Sequence, residues 1–291
     1  MTRQPRRCPM CGTLEKERVF ALDELIVVRC RSCGLIFRDT CLDDDASKAL
    51  YAEAYFTKEQ ADYFFNFPKE KEILFRERLK MVQRYVPLRG KLLDIGCAIG
   101  TFLKVAQDDG YAVQGVEISA YAAQFARKTY GLDVRCAMFD RSTFPGQEKF
   151  DVITMWDVID HSEEPVAFLR NAASLLKENG TIFVETTMED SLVYELCAWL
   201  YRLSFGLIKG PVAKGHPVHH SVFFSRATLR NALVSCGLTV KAVEPSDYPA
   251  QFFPGGKLVK SLFGLVYRIG NMIGMPLIVT FVAHKKGAGT S

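Results

Sequence analysis

Apolar runs of strand length alternate with amphipathic stretches over the last two-thirds of the chain. The apolar runs predict strands, and stretches with apolar residues spaced three or four apart predict helices. The predicted strands are 92–95, 111–119, 133–137, 150–161 (running into a polar turn), 181–187, 238–243 and 276–284, and the predicted helices are 101–107, 120–130, 165–177, 226–236 and 257–273. Such alternation is typical of a parallel sheet with helices on both faces. We therefore predict an α/β, doubly wound fold.

Two regions depart from this alternation. Residues 51–67 are rich in tyrosine and phenylalanine and lead into helical spacing over 69–85. They predict a connector that caps the cleft of the sheet. Residues 188–225 are apolar and aromatic and contain a predicted helix over 192–205. This stretch is either a lid packed on the core or a contact surface for a greasy acceptor.

The turn after residue 95 carries the strongest chemical signal. In the sequence KLLDIGCAIG, a short apolar strand contains Asp94 and is followed by the small residues Gly96, Ala98 and Gly100. Small residues let a ligand approach the backbone, and the helix that follows offers free N–H groups. Glu117 ends the next strand about 20 residues later, where an acidic residue binds a ribose diol in such sheets. A nicotinamide-cofactor turn would need a further glycine; an ordinary strand–helix turn is the plainer alternative.

Composition limits the classes to which the chain can belong. Of 291 residues, 48% are hydrophobic and 24% charged, and the net charge of +4 does not demand a nucleic acid partner. The N-terminus lacks the apolar core of a signal peptide, and nine cysteines, an odd number, argue for a reducing compartment. Charged residues interrupt the two most apolar segments, 192–208 and 258–283. We predict a cytoplasmic protein without a transmembrane segment and leave peripheral membrane contact open.

Four cysteines near the N-terminus have the spacing of a metal site. Cys8 and Cys11 form one C-x-x-C pair, and Cys30 and Cys33 form a second. Two such pairs suit four thiolates around one tetrahedral zinc, whereas a redox pair would leave the second pair unexplained. We predict a zinc ribbon that serves as a structural staple. Because arginines flank the ribbon, contact with nucleic acid is the alternative role.

Together these features resemble the class I S-adenosylmethionine-dependent methyltransferases. The D-x-G-x-A-x-G turn with Glu117 carries the resemblance, and the segments FDVITMWDVIDHSEEPVAFLRNAASLLKENGTIFVET and PVHHSVFFSRATLRNALVSCGL extend it over nearly the whole chain. The cysteine ribbon and aromatic linker are similar to a bacterial branch that methylates small metabolites. The resemblance implies a seven-stranded, mostly parallel, Rossmann-like sheet whose last strand is antiparallel. The predicted parts are a zinc ribbon at 1–40, a connector and cap at 41–88, and a methyltransferase domain at 89–291 with an apolar insertion at about 188–225.

The resemblance also implies which residues bind S-adenosylmethionine. They are Asp94, Gly96, Ala98, Gly100, Glu117, Ile118, Met138, Phe139, Trp156 and Asp157. Asp94 would face the ammonium or sulfonium at the methionine end, and Glu117 would hold the ribose hydroxyls. Residues after the second and third strands would flank the adenine, and Trp156 with Asp157 would close the methionine end. In many relatives an acidic residue binds the adenine amine. The candidate for this role here is Asp140, which lies one or two positions later in the sequence than the acidic residue of those relatives.

Methyl transfer needs in-line positioning and removal of a proton from the acceptor. The predicted bases are His220 and His161, with His220 preferred, and we expect its imidazole to titrate near pH 6.5. His216 and His219 are weaker candidates. A surface or structural role is the alternative for each histidine.

The predicted function is methyl transfer from S-adenosylmethionine to a small-molecule acceptor, such as a sugar or a quinone-like, polyketide or lipid-linked metabolite. One alternative is a ribosomal-RNA base methyltransferase with a zinc ribbon, and another is a cofactor-binding partner protein without catalysis. The low net charge and the apolar insertion disfavour nucleic acid as substrate. The sequence does not specify the acceptor atom or the oligomeric state.

Overall fold

Two sheets with flanking helices make up the part of the chain that the computed structural model describes, residues 6–22, 25–42, 48–146, 148–246, 248–249, 252 and 256–285. The strands are β1 (Lys16–Leu22), β2 (Leu25–Cys30), β3 (Ile36–Arg38), β4 (Lys91–Ile95), β5 (Ala112–Glu117), β6 (Val134–Cys136), β7 (Phe150–Trp156), β8 (Leu176–Thr187), β9 (Val222–Phe223), β10 (Leu238–Pro245) and β11 (Ile278–Lys285). Parts of the predicted ribbon and connector, residues 1–5, 23–24 and 43–47, lie outside the described residues.

Helices cover the larger sheet, and the first of them comes before its strands in the chain. They are α1 (Pro68–Tyr85), α2 (Thr101–Asp108), α3 (Ala120–Tyr130), α4 (Pro165–Leu175), α5 (Leu192–Leu203), α6 (Gly210–Gly215), α7 (Arg226–Ser235) and α8 (Lys257–Met272). Two π-helical turns, Tyr55–Glu59 and Asp62–Asn66, form the aromatic connector, and short 3-10 turns follow β6 and β7. None of the described helices is long and apolar enough to cross a membrane.

The larger sheet has the strand order β10-β11-β8-β7-β4-β5-β6. β4 to β8 pair in parallel, whereas β11 runs antiparallel to both of its neighbours. This arrangement confirms the predicted doubly wound, seven-stranded sheet with an antiparallel last strand. The strand order reverses between β4 and β7, and ligands of such sheets bind at the carboxyl ends of the strands beside this reversal.

Both faces of the sheet are buried, and consecutive residues of its strands serve opposite faces. Leu93 and Val184 belong to the cluster that includes residues of α4 and α7. Their neighbours Leu92 and Phe183 belong to the cluster beneath α1, α2 and α3. Side chains alternate across a strand, so continuous apolar runs are needed where helices cover both faces. This is why the sequence showed runs rather than alternation.

The predicted end of α4 and the predicted start of β8 are wrong. Helix α4 ends at Leu175, not at residue 177, because Leu176 is buried and already pairs with Phe150 as the first residue of β8. The stretch 150–161, predicted as a strand that runs into a polar turn, is a strand as far as Trp156. Its successor Asp157 has a left-handed backbone with φ of 55°, which no strand continues. The chain therefore turns away from the sheet directly at the cleft.

The ribbon forms a second sheet with the order β1-β2-β3-β9. Sequence analysis missed β3 and β9, which are only three and two residues long. Ile36 of β3 pairs with Phe223 of β9, a strand that belongs to the insertion. Phe20 and Val27 of the ribbon share a buried cluster with Ala198 of α5. The ribbon and the insertion are therefore packed together in space, although about 150 residues separate them along the chain.

Candidate functional site

A cavity of about 1040 Å³ opens at the carboxyl ends of the central strands, beneath the aromatic connector. Small-molecule sites typically measure about 300–1,000 Å³, so this cavity lies at the upper end of that range. Nine of the ten predicted cofactor residues line it: Asp94, Gly96, Ala98, Glu117, Ile118, Met138, Phe139, Trp156 and Asp157. The histidines His161, His219 and His220 line the same cavity.

Gly100 is not part of the lining. It adopts φ of 81° as the N-cap of α2. A Cβ at this position would come within 2.7 Å of Leu132 and 2.8 Å of Ala126. Gly100 therefore permits close packing of the turn against α3 rather than contact with a ligand.

Gly96 and Ala98 shape the turn that faces the cavity. Gly96 has φ of 74°, and a Cβ there would lie 2.5 Å from Val158. Its N–H donates to the carbonyl oxygen of Val116 at 2.8 Å, which ties the turn to β5. Ala98 is also left-handed, with φ of 48°, an unusual conformation for a residue with a side chain. The turn thus holds its backbone close to the cavity with almost no side-chain bulk.

Asp94 is a buried carboxyl group at the end of β4. The hydroxyl of Thr154 donates to it at 2.7 Å. Burial raises the pKa of Asp94 to about 7, and the Thr154 hydrogen bond only partly offsets this. A cation bound next to Asp94 would favour the ionised carboxylate, and the ammonium or sulfonium of a methyl donor would be such a cation.

Glu117 ends β5 and turns its carboxylate onto the glycine turn. It accepts hydrogen bonds from the backbone N–H groups of Ala98 and Ser119, both at 2.8 Å. Burial raises the pKa of Glu117, while these backbone bonds act in the opposite direction. Each carboxylate oxygen can accept a second hydrogen bond. The side chain is thus fixed in place with acceptor capacity to spare for a diol.

The wall beyond β6 is apolar with one carboxylate. Met138 is exposed, and the ring of Phe139 packs against Phe168 at a centroid distance of 5.0 Å. Asp140 accepts the N–H groups of Ser142 and Thr143 and thereby caps a 3-10 turn. Hydrogen bonding, first from Ser142, keeps the pKa of Asp140 below its usual value. Asp140 lines the cavity, so its carboxylate stands beside the predicted adenine position.

A buried arginine packs against Trp156 and Asp157, and sequence analysis missed it. Arg78 of α1 forms an ion pair with Glu185 of β8, lies 3.6 Å from Asp157, and places its guanidinium 4.9 Å from the centre of the Trp156 ring. Burial and the charge of Glu185 raise the pKa of Asp157 to about 8. One signal was available: Arg78 lies four residues after Leu74, on the apolar stripe of a helical pattern.

The aromatic connector forms the roof of the cavity. Phe56 and Phe64 are buried with ring centroids 4.8 Å apart. The ammonium of Lys71 lies 4.4 Å from the Tyr63 ring centroid and 4.1 Å from that of Phe64. Burial lowers the pKa of Lys71 well below its usual value. The roof therefore combines aromatic faces with one enclosed amine.

Three imidazoles meet in the wall of the cavity. His161 follows β7, and its ring stacks on that of His219 at 5.3 Å and meets that of His220 at 4.6 Å. One ring nitrogen from each lies within 4.8 Å of the others. The Nδ1 atom of His161 is 2.6 Å from the hydroxyl oxygen of Tyr51. The tertiary structure thus brings together three chain segments, around residues 51, 161 and 220.

Asp160 orients His220, the preferred base. The Nε2 atom of His220 lies 3.2 Å from an Asp160 carboxylate oxygen. Its Nδ1 atom is buried and has no hydrogen-bond partner among the described residues. Burial lowers the pKa of His220 well below its usual value, with the neighbouring His161 acting in the same direction. This direction of shift opposes the expectation of titration near pH 6.5 and favours the neutral imidazole of His220.

The two weaker histidine candidates have separate environments. Burial, followed by the charges of His220 and His161, lowers the pKa of His219 to about 3. His216 is absent from the cavity wall. It is buried beside the ring of Phe223, at 4.5 Å, and its Nε2 atom lies 3.3 Å from Glu189. His216 therefore occupies a core position between the ribbon and the insertion.

Glu163 joins the ribbon to the histidine cluster. Its carboxylate pairs with Arg6, at 2.7 Å, and with Arg38, and it accepts the hydroxyl of Ser221 at 2.7 Å. Both guanidinium groups are buried. Two of the arginines that suggested nucleic acid contact are therefore engaged inside the protein. Ser221 follows His220 directly, so the same network holds the loop that carries the candidate base.

The four ribbon cysteines converge. The sulfur atoms of Cys8, Cys11, Cys30 and Cys33 all lie within 4.8 Å of one another, and the Cys8–Cys33 and Cys11–Cys30 pairs are 3.5 Å apart. Four sulfurs at about 2.3 Å from a zinc ion would be roughly 3.8 Å apart. Hydrogen bonding from Cys33 lowers the pKa of Cys8 to about 5, and the same contact raises the pKa of Cys33. The cluster fits a tetrahedral zinc.

Comparison with known proteins agrees with this geometry. A family model described as a methyltransferase domain matches residues 69–243. A ubiquinone biosynthesis O-methyltransferase of Coxiella burnetii is 28% identical over 123 residues, which cover 40% of this chain and 52% of that protein. The chain thus spans about half the length of this curated relative.

Two solved structures share the fold. Magnesium protoporphyrin IX methyltransferase of Synechocystis PCC 6803, solved with bound SAH, aligns with a TM-score of 0.57 at 15% identity over 84% of this chain and all of that one. The 1,6-didemethyltoxoflavin-N1-methyltransferase of Burkholderia thailandensis aligns with a TM-score of 0.53 at 12% identity over 94% of this chain and 99% of that one. Because the matched family model covers more than half of the chain, the protein belongs to the methyltransferase-domain family, within the class I S-adenosylmethionine-dependent fold.

Proposed function

We propose that the protein transfers a methyl group from S-adenosylmethionine to a hydroxyl group of a small, mainly apolar acceptor. One observation carries the proposal: a single cavity joins the glycine turn and Glu117 to the cluster of three histidines. Similarity to O-methyltransferases of ubiquinone biosynthesis supports an oxygen acceptor of low polarity. The aromatic and aliphatic side chains of the connector and insertion suit such a molecule better than a polyanion.

The cofactor end of the cavity would be used as follows. S-adenosylmethionine supplies a methyl group on a positively charged sulfur. Glu117 has acceptor capacity for the ribose hydroxyls, and Asp94 would ionise next to the donor's positive charge. Trp156 closes the methionine end, and its indole N–H is buried without a hydrogen-bond partner among the described residues. An unpaired buried donor is costly, which points to a ligand acceptor at this position.

The acceptor end would supply the base. With Nε2–H donating to Asp160, the lone pair of His220 lies on Nδ1, the atom without a protein partner. Asp160 would fix this tautomer and stabilise the imidazolium that forms when His220 takes the acceptor's proton. His161, held by Tyr51, would position the acceptor hydroxyl rather than deprotonate it.

The ribbon would hold one structural zinc, which supports the acceptor end through β9 and Glu163. All nine cysteines are free in the described residues, which agrees with a reducing, cytoplasmic setting. A Cys30→Ser variant should lose the zinc and most methyl transfer, because the His220 loop is no longer supported, while it retains S-adenosylhomocysteine affinity. Metal analysis and calorimetry check this. Equal loss of cofactor affinity would contradict a role restricted to the acceptor end.

The decisive experiment is a turnover assay with methyl-labelled S-adenosylmethionine. Phenolic, catecholic and sugar acceptors are offered in parallel with bulk ribosomal RNA, for the wild type and for His220→Ala. A matched control is His284→Ala, since His284 lies on β11 and does not line the cavity. We expect label in an O-methyl product that His220→Ala fails to make. Label in RNA, or binding of the cofactor without any product, would favour the corresponding alternative function.

A further inference from the structure

Helix α5 presents its apolar face to solvent. Leu196, Trp199, Leu200 and Leu203 are exposed by 49, 58, 41 and 68%, and their spacing of three and four residues places them on one face. The opposite face is buried through Tyr194 and Ala198. A surface helix normally buries its apolar stripe and exposes polar residues. α5 therefore has a second apolar face beyond the one that the fold uses.

Helix α8 repeats this arrangement. Its exposed side chains include Leu258, Leu262, Leu265, Ile269 and Met272, with exposures between 41 and 84%. The same spacing of three and four residues aligns them along one face. Its buried residues are Tyr267 and Gly270. An ordinary lid would not need these large apolar residues on its outer side.

The two apolar faces belong to one region of the surface. Tyr194 of α5 and Tyr267 of α8 lie in the same buried cluster, so both outer faces point away from it. A Cβ on Gly270 would lie 3.4 Å from the Cβ of Leu192, which shows how closely the helices approach. The turn after α5 adds Phe205 and Leu207, exposed by 95 and 85%. Contiguous exposure on this scale marks an interaction surface.

The charges around this surface are almost all positive. Residues 192–216 and 257–273 contain six basic side chains and one acidic one, Glu195. Arg202, Lys214, Lys257 and Arg268 are exposed. A second copy of the chain on this face would bring like charges together, which opposes self-association. Apolar and aromatic residues combined with lysine and arginine are typical of helices that lie in the interface of an anionic membrane.

The inner sides of the same helices form part of the cavity wall. Val193 and Cys197 of α5 and Val259 and Phe263 of α8 line the cavity. The surface residues and the wall residues thus alternate along two helices. An acceptor with an apolar tail could pass between the helices from a bilayer to the histidine cluster.

We propose that the α5–α8 face docks on the surface of an anionic lipid bilayer and that the enzyme takes its acceptor from there. Docking itself does not depend on the proposed function, whereas delivery of the acceptor does. The apolar side chains enter the boundary between headgroups and acyl chains, and the basic residues remain among the lipid phosphates. The helices lie along the membrane plane and do not cross it.

The test is sedimentation of the protein with vesicles of phosphatidylcholine, either alone or with about three lipids in ten replaced by phosphatidylglycerol. We expect binding to the anionic vesicles and a blue shift of Trp199 fluorescence on binding. Leu203→Glu combined with Leu262→Glu should weaken binding about tenfold or more, and Arg268→Gln about fivefold. Ile73→Glu is the matched control, because Ile73 is comparably exposed, at 60%, on α1, outside the two helices of the proposed face.

Each other outcome would overturn the proposal. Absence of vesicle binding would do so, as would binding that the double variant leaves unchanged. A concentration-dependent dimer in ultracentrifugation that the double variant abolishes would assign the face to a second copy instead. Two further measurements accompany the vesicle experiment: calorimetry with S-adenosylhomocysteine and methylation of a water-soluble phenol. Neither measurement requires a bilayer, so both test the proposed function separately from docking. Their failure would count against the proposed function and leave docking intact.

Discussion

The two ends of the cavity are built by different means. The proposed cofactor end consists of one backbone turn and two carboxyl groups, Asp94 and Glu117, on adjacent parallel strands. The proposed acceptor end assembles Tyr51, His161 and His220 from three distant segments and fixes them through the ribbon. The first end depends on local backbone geometry, and the second depends on long-range contacts. We infer that the acceptor end can change its substrate without disturbing the cofactor end.

The largest expected effect is on stability, from the contact that joins the connector to the sheet. Arg78→Met leaves Glu185 buried without its cation, which should lower the free energy of unfolding by about 3–5 kcal/mol. Arg76→Met is the control on the same helix, since its pair with Glu72 is exposed and should contribute about 0–1 kcal/mol. Urea unfolding of the two variants measures both values. Equal stability of the two variants would show that Arg78 does not anchor the connector.

The second-largest expected effect is on the catalytic rate, and it distinguishes the proposed acceptor end from the proposed cofactor end. His220→Ala should lower kcat by about 10²-fold or more, because removal of the acceptor's proton loses its base. The affinity for S-adenosylhomocysteine should stay within about twofold of the wild type, since His220 lies at the other end of the cavity. Steady-state kinetics and calorimetry provide the two readouts. Near-normal turnover in the variant would transfer the role to His161 or to an acceptor that arrives ionised.

Glu117→Ala tests the proposed cofactor end, where we expect a loss of cofactor affinity instead of a direct loss of the base. Loss of a charge-assisted bond to the ribose hydroxyls should weaken S-adenosylhomocysteine binding by about 1–2 kcal/mol, or roughly 5–30-fold. Glu178→Ala, at an exposed position of β8, should leave binding unchanged. Calorimetry gives the comparison. Unchanged affinity for Glu117→Ala would remove this residue from the cofactor site.

The smallest effect is a difference in pH dependence between the two ends. Burial raises the pKa of Asp94 to about 7, so its proton must leave before the carboxylate can pair with a cationic donor. The affinity for S-adenosylmethionine should therefore rise as the pH increases from 6 to 8, and Asp94→Asn should abolish the rise.

The candidate base His220 should not titrate in this window. Since the pKa of His220 is lowered well below its usual value, its neutral form already predominates at pH 6. We expect kcat at saturating cofactor to stay flat between pH 6 and 8 and to fall only under more acidic conditions. A kcat that rises through pH 6.5 would show that the base titrates normally, as the sequence alone suggested.

The predictions that succeeded rest on local patterns. The alternation of strands and helices, the glycine turn and the two cysteine pairs are contiguous in the chain, and each has a geometry that a few residues dictate. Those that failed concern positions where tertiary contacts override local preference. Leu176 joins a strand because Phe150 pairs with it, and Gly100 packs against α3 instead of facing the cavity.

The sequence by itself determined the doubly wound sheet, the position of the cleft, the acidic residues at its strand ends and the four cysteines that converge in the ribbon. Hydrophobic periodicity and turn chemistry act over a few residues and can therefore be recognised in the sequence alone. Only the tertiary structure decided that β9 joins the ribbon sheet, that Arg78 reaches Glu185, and that burial keeps His220 neutral. These features depend on pairings between segments about 60 to 190 residues apart and on exclusion of water, neither of which any short stretch of sequence specifies.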